Sequence, residues 1–122
     1  MANKMTSIEE LKKFGLVISD DMHQGKVIID VYTNWCGPCK WLSPILEKLE
    51  KEGLIKLLKV DLDQNRPLGN KFGITAIPSL LFFKDGHLLE NTIEVQGEPV
   101  VRNGIMVGAA GEPVLKEIIS KM

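Results

Sequence analysis

Residues 27–39 read VIIDVYTNWCGPC, and this stretch decides the fold. Its first half is a near-continuous run of β-branched residues, which is typical of a strand buried on both faces of a sheet. From Pro38 to about Gly53 the apolar residues recur with the spacing of one helix face. The two cysteines of the stretch, Cys36 and Cys39, are therefore predicted to lie where a buried strand passes into a helix.

The Cys36-Gly37-Pro38-Cys39 spacing predicts two sulfur atoms with different roles. Cys36 is expected at the helix N-terminus, where free backbone N–H groups and the helix dipole favour an anion, so it should be an exposed thiolate with a lowered pKa. Pro38 suits the first helical turn because it has no N–H, and it places Cys39 further inside, shielded beneath its partner. The pair would then perform two-step thiol–disulfide exchange, with Cys36 attacking and Cys39 resolving.

Two other uses of the cysteines compete with redox chemistry. A zinc site would need two more ligands, and the two histidines, His23 and His87, lie at irregular spacings in turn-like segments. An inert disulfide is disfavoured because closing so short a loop adds little stability. We therefore expect no metal and no organic cofactor, only a redox-active Cys36–Cys39 disulfide.

Composition limits the kinds of partner. The 122 residues suit one domain spanning 1–122, and 15 basic against 16 acidic residues leave no cationic field to attract nucleic acid. Residues 1–7 lack the apolar stretch of a secretory signal, and no run approaches the ~20 apolar residues of a membrane span. The expectation is a cytoplasmic monomer that contacts neither nucleic acid nor membrane.

The remaining patterns extend the strand–helix unit into an α/β domain. The further elements predicted are a capped helix at 7–15, a short edge strand at 16–18, a turn or single helical turn at 20–25, a buried strand at 54–60, a helix at 67–72, a strand at 79–83 and a last helix from Pro113. Together they predict a central mixed sheet of four to five strands flanked by helices.

The segment between the last two strands of this sheet is unusually long. Asp85-Gly86 and Asn103-Gly104 are both hairpin signals, and Ile93 and Val95 alternate with polar residues between them. We therefore predict an extended or doubled hairpin, with an insertion at approximately 88–106.

Several longer stretches resemble the thioredoxin family. They are VIIDVY at 27–32, WCGPCK at 35–40, DLDQN at 61–65 and FGITAIPSLLFFKDG at 72–86. The resemblance covers residues 26–86 and resumes at 107–109 and in the last helix. It implies a thioredoxin fold, and a thiol–disulfide oxidoreductase that reduces protein disulfides and is recharged by a thioredoxin reductase.

The resemblance also implies roles for individual residues. Asp30 would be a buried acid that accepts a proton from Cys39, because burial should raise its pKa, and Lys59 would be its basic partner. Pro78 would follow a cis bond and face the disulfide, so that the backbone of Ile77 can pair with an extended substrate.

Four further residues are assigned to substrate binding by the same resemblance. Trp35, Gly37 and Pro38 would contact the substrate, and Gly108 would leave room for the incoming chain. The Gly37-Pro38 dipeptide lacks the histidine of strongly oxidising relatives, which favours a reductant.

Two departures from the family pattern leave an alternative open. Tyr32 stands where the family commonly has a second tryptophan, and 21 residues separate Gly86 from Gly108, where the family hairpin is far shorter. The alternative is a specialised redox partner, or a non-catalytic binding module, whose partner is selected by the 88–106 insertion.

Overall fold

The computed structural model describes residues 6–122, so residues 1–5 of the polar N-terminal segment lie outside the described part of the chain. The elements are, in order, a 3-10 helix at Ile8–Phe14, a 3-10 helix at Asp20–His23, β1 at Lys26–Tyr32, α1 at Gly37–Lys51, β2 at Lys56–Asp61, a 3-10 turn at Leu62–Gln64, α2 at Arg66–Phe72, β3 at Ser79–Lys84, β4 at His87–Leu88, β5 at Ile93–Val95, β6 at Glu98–Val101, β7 at Ile105–Val107 and α3 at Glu112–Ser120.

The main sheet has five strands, with β1 at its centre between parallel β2 and antiparallel β3. All five interior positions of β1 are buried, as its β-branched run predicts. Tyr32 lies opposite Asp61, Val31 opposite Ser79, and Ser79 opposite Val107. The last residues of β1, β2 and β7 and the first residue of β3 therefore share one end of the sheet.

The outer edge of β3 is covered by one strand in two pieces. β4 pairs with the end of β3 and β7 with its beginning, and both run antiparallel to it. Between them, the Phe82 N–H donates to the Gly104 carbonyl at 2.8 Å, while the Leu89 N–H donates to the Phe82 carbonyl at 2.9 Å. The chain thus leaves the sheet after residue 89 and returns at residue 104 opposite the same residue of β3.

Residues 90–103 form a hairpin outside the main sheet, in which β5 and β6 pair with each other. Gln96-Gly97 turns this hairpin, and Asn103-Gly104 turns the chain back into β7, with positive φ at all four residues. The prediction of a doubled hairpin is therefore confirmed, although it is inserted within one edge strand.

The core lies on both faces of the main sheet. On one face, α1 and α3 pack on the sheet, and the inserted hairpin adds Ile93, Val95 and Val101 to the same buried cluster. On the other face, the first 3-10 helix and α2 contribute a second buried cluster. The inserted hairpin is thus part of the core.

One predicted strand is absent, and another forms but is less buried than predicted. Residues 16–18 form no strand; a cleft of about 280 Å³ lies between residues 15–17 and β2, and Val17 is 82% exposed. β2 is less buried than its apolar run suggests, since it lies at an edge of the sheet and only Val60 is buried.

Candidate functional site

Cys36 is the N-cap residue of α1. Its backbone is extended, its own N–H donates to the Thr33 carbonyl at 3.4 Å, and its Sγ accepts a hydrogen bond from the Cys39 N–H at 3.1 Å. Pro38 lies in the first turn, where a missing N–H costs no hydrogen bond. The sulfur of Cys36 therefore lies at the positive end of the helix dipole, which stabilises a thiolate when the disulfide is open.

Cys36 and Cys39 form a disulfide, with their Cα atoms 5.3 Å apart. The exposed fractions are 5% for Cys36 and 3% for Cys39, so in this oxidised form Cys39 is shielded as predicted, whereas the expected exposure of Cys36 is wrong. Each sulfur is covered on one side by the other. The two cysteines differ instead in their surroundings, because Cys39 alone of the pair lines the cavity behind the disulfide.

This cavity has a volume of about 180 Å³, enough for water. Its lining residues are Asp30, Tyr32, Thr33, Asn34, Cys39, Lys40, Ser43 and Lys59. The structure thus brings together three of the four predicted catalytic residues, Asp30, Cys39 and Lys59, around one small space.

Asp30 is the buried acid of this cavity, with only 1% of its surface exposed. Within residues 6–122, its Oδ1 atom has no hydrogen-bond partner. Burial raises the pKa of Asp30 to about 6, with the positive charge of Lys59 opposing this shift and the negative charge of Glu47 adding to it. A carboxyl group with that pKa can exchange a proton with a neighbouring thiol near neutral pH.

Lys59 lies opposite Asp30 in the β1–β2 register, but its ammonium group is held by α1. It donates to the hydroxyl of Ser43 and to Glu47 Oε2, the latter at 2.6 Å. Lys59 therefore acts on Asp30 through its charge and not through an ion pair in contact. Ser43 and Glu47 were missed from the sequence, although their i,i+4 spacing places both on one side of α1.

Trp35 lies beside the disulfide and is 72% exposed. Its indole N–H donates to Asp63 Oδ2 at 2.8 Å, and Asp63 lies in the 3-10 turn that follows β2. Asp61 caps this turn by accepting from the Asp63 N–H at 2.9 Å. The sequence pattern did not identify Asp63, which holds the exposed ring in place.

The Ile77–Pro78 bond is cis, as predicted, and lies just before β3 at the same end of the sheet as Cys36. The Pro78 carbonyl accepts from the Gly108 N–H at 2.8 Å. Gly108 has a φ of +98°, and a Cβ there would meet no atom within 4 Å. Gly37 and Pro38 are exposed at the start of α1. The predicted substrate-binding residues thus all lie at one end of the molecule.

Residues 6–122 contain neither a cluster suited to a metal ion nor a helix suited to a membrane. This part of the chain contains no group of three or more His, Cys, Asp or Glu side chains placed to hold a metal ion. None of its helices has the length and apolar character needed to cross a membrane.

Comparison with known proteins points to one family. The family model described as Thioredoxin matches residues 6–105. The chain is 39% identical over 77 residues to thioredoxin of Bacillus subtilis (strain 168), covering 62% of this chain and 74% of the relative. It is 36% identical over 98 residues to thioredoxin of Rickettsia felis, covering 79% of this chain and 88% of that one.

Solved structures agree with these sequence matches. A single-residue mutant of thioredoxin from Halobacterium salinarum superimposes with a TM-score of 0.64 at 29% identity, over 93% of this chain and 82% of that chain. Mitochondrial thioredoxin 3 from Saccharomyces cerevisiae gives a TM-score of 0.61 at 27% identity, over 83% of each chain.

Proposed function

Because the chain belongs to the thioredoxin family and is a thiol–disulfide oxidoreductase, we propose that it reduces protein disulfides with Cys36 as nucleophile and Cys39 as resolving thiol. One observation supports this assignment above the others. The Cys36 sulfur lies at the N-terminus of α1, while Cys39 shares a cavity with the carboxyl group of Asp30.

The proposed reaction has two exchange steps. In the first, the Cys36 thiolate attacks one sulfur of the substrate disulfide, forming a mixed disulfide and releasing the other substrate sulfur as a thiolate. In the second, Cys39 loses its proton to Asp30 and attacks Cys36 Sγ, which releases the remaining substrate thiolate. The substrate gains two electrons, and the enzyme is left with the Cys36–Cys39 disulfide.

The remaining predicted residues are proposed to bind the substrate. Trp35, Gly37 and Pro38 would contact it on one side of the disulfide, while Ile77, Pro78 and Gly108 would contact it on the other. Their common location at one end of the sheet supports this proposal. Lys59 would modulate Asp30 through its charge.

The enzyme needs a source of two electrons to reopen its disulfide. A thioredoxin reductase is the proposed donor, because family membership implies this partner. We further propose a monomer of one domain, 1–122, working in the cytoplasm, where thiols are kept reduced. The Cys36–Cys39 disulfide and the cavity that Cys39 shares with Asp30 support the proposed reduction of disulfides over the non-catalytic binding module.

Trapping of intermediates tests the assigned roles. Cys39→Ser should accumulate mixed disulfides with substrate proteins, because nothing remains to attack Cys36 Sγ. Cys36→Ser should trap at least tenfold less, and the double variant should trap none. The measurement is non-reducing electrophoresis after incubation with a disulfide-bonded protein. Equal trapping by both single variants would contradict the assignment.

A further inference from the structure

A groove opens between β6 and β7, where the inserted hairpin diverges from the main sheet. Its volume is about 490 Å³, within the roughly 300–1,000 Å³ typical of clefts that bind ligands. Pro99 and Val100 form one wall, Met106 and Val107 form the other, and Arg102 is the one charged residue among the described residues that line it. The groove exists because residues 90–103 leave the sheet and come back.

The backbone of β7 has one open pair of hydrogen-bonding groups on the groove side. Successive residues of a strand direct their N–H and C=O groups to opposite sides, and the Gly108 N–H donates to the Pro78 carbonyl. Val107 therefore faces away from β3. Ile105 also faces away, but it already exchanges two backbone hydrogen bonds with Arg102, at 2.9 and 3.0 Å. Within residues 6–122, β7 pairs with β3 and with Arg102 only.

The groove is continuous with the end of the sheet that carries the disulfide. Val107 lies opposite Ser79, the residue after Pro78, and it is 66% exposed. A substrate chain whose cysteine reaches Cys36 passes the Pro78 and Gly108 backbone before it meets the groove. The groove is therefore in line with the path that the proposed function assigns to a substrate.

We propose that an extended segment of the substrate protein, close to its reactive cysteine, lies in this groove as an added strand. Its backbone hydrogen-bonds to the N–H and C=O of Val107, its aliphatic side chains contact the walls, and a carboxylate pairs with Arg102. Arg102 suits this role because its side chain is exposed and makes no salt bridge or side-chain hydrogen bond within residues 6–122. The inference rests on the proposed reduction of protein disulfides and names its preferred substrate class.

Paired peptides test the charge preference. Each probe is a synthetic peptide with one cysteine, held as a mixed disulfide with thionitrobenzoate, and four flanking residues that alternate valine with either glutamate or lysine. One set carries the flank before the cysteine and the other carries it after. Attack by Cys36 forms a disulfide with the peptide and releases coloured thionitrobenzoate, so the second-order rate constant is read directly.

For the reduced wild-type protein, we expect about a fivefold higher rate constant with the glutamate peptide than with the lysine peptide, in at least one of the two sets. Arg102→Glu should reverse this preference. Lys13→Glu is the matched control, since Lys13 is exposed on the first 3-10 helix and forms no salt bridge in the described chain; it should keep the wild-type preference. The neutral bis(2-hydroxyethyl) disulfide should react equally with all three proteins.

Hydrogen exchange tests the added strand itself. In the mixed disulfide of Cys39→Ser with the glutamate peptide, the Val107 amide should exchange at least tenfold more slowly than in the free protein. The Ile105 amide is the internal control, because it is already bonded to the Arg102 carbonyl.

Equal rates for the two peptides in both sets, or unchanged exchange at Val107, would overturn the inference while leaving the proposed function intact. Val107 protection that grows with protein concentration in the absence of peptide would place a second copy of the chain in the groove, and would also overturn it. Failure of the wild-type protein to reduce bis(2-hydroxyethyl) disulfide would instead contradict the proposed function.

Discussion

Burial sets the protonation of Asp30, the acid behind the disulfide. The side chain is almost fully covered, one carboxyl oxygen has no hydrogen-bond partner within residues 6–122, and the pKa rises to about 6. Ionising this group inside the folded protein is therefore costlier than ionising it in the unfolded chain. Asp30 therefore lowers the stability of the fold at neutral pH, where we propose that it accepts the proton of Cys39.

Replacing Asp30 by asparagine should stabilise the oxidised protein in a pH-dependent way. Near pH 4 the folded wild-type protein keeps the proton. As the pH rises from about 4 through about 6, the unfolded chain releases it first, so the free energy of unfolding falls. The rise in the pKa of Asp30 from 3.8 to about 6 lowers the free energy of unfolding at pH 8 by roughly 3 kcal/mol.

Urea unfolding at pH 4 and pH 8 measures this effect. The advantage of Asp30→Asn over wild type should grow by roughly 2–3 kcal/mol between the two pH values. Thr33→Val is a suitable control, because Thr33 is a buried neighbour in the same cavity and does not titrate. An advantage of Asp30→Asn that stays constant with pH would contradict the raised pKa.

The raised pKa of Asp30 was predictable because a carboxyl group in the middle of a buried β-branched run has no route to solvent. The hydrogen bonds of Lys59, in contrast, were not predictable from the sequence. The β1–β2 register places Lys59 opposite Asp30, yet its long side chain reaches Ser43 and Glu47 on α1. The placement of α1 over the sheet determines which groups the Lys59 ammonium reaches, and no local sequence pattern predicts that placement.

Among the turns, the sequence reveals those with asparagine or aspartate before glycine. Asp85-Gly86 and Asn103-Gly104 both turn the chain as predicted, with positive φ at each residue. The Gln96-Gly97 turn was missed because glutamine rarely adopts positive φ, which it does here at +54°. The predicted strand at 16–18 failed for another reason, because a short apolar run needs a neighbouring strand to pair with.

Gly104, where the chain re-enters the main sheet, has much closer neighbours than Gly97, in the turn of the inserted hairpin. A Cβ at Gly104 would lie 2.5 Å from Leu88 Cγ and 2.9 Å from the Leu89 carbonyl oxygen, because residues 89 and 104 both lie opposite Phe82. Gly97 has a similar φ of +80°, but a Cβ there would meet nothing within 4 Å. Comparing substitutions at the two glycines therefore distinguishes the cost of close contact from the cost of a left-handed backbone.

We expect Gly104→Ala to lower the free energy of unfolding by about 2–4 kcal/mol, through the combined cost of the left-handed backbone and the contact with Leu88 and Leu89. Gly97→Ala should cost about 1 kcal/mol, from its backbone conformation alone. Urea denaturation curves of both variants give the comparison. Equal losses of stability in the two variants would show that Leu88 and Leu89 move freely to accommodate the added methyl group.

For the molecule as a whole, the prediction of an α/β fold with a mixed sheet is confirmed, and the family match agrees with it. The packing of the insertion on the core was not predictable. Ile93 and Val95 alternate with polar residues, which indicates a strand with one buried face but not what covers that face. The covering helix, α3, lies about 20 residues further along the chain.

Because the inserted hairpin shares the core, it should unfold together with the sheet. Val101→Ala removes two methyl groups from a fully buried position of the inserted hairpin and should lower the free energy of unfolding by about 2 kcal/mol. Val17→Ala, at an 82% exposed position, should change it by less than about 0.5 kcal/mol.

Hydrogen exchange under mildly denaturing conditions separates global from local unfolding of the hairpin. Amides of β5 and those of β1 should exchange with the same free energy in the wild-type protein, and Val101→Ala should lower both equally. A hairpin that opened alone, with β1 unaffected, would contradict a shared core.

Residues 89 and 104 meet opposite Phe82, so the sheet is built as though they were neighbours in sequence. A different segment joined between these two positions would keep the register of the main sheet only if it also covered the core surface that Ile93, Val95 and Val101 cover here. Replacing residues 90–103 by another segment of this kind could therefore give the protein a new recognition surface while leaving the Cys36–Cys39 site in place. The junction of residues 89 and 104 is thus a position at which evolution or protein design can exchange segments.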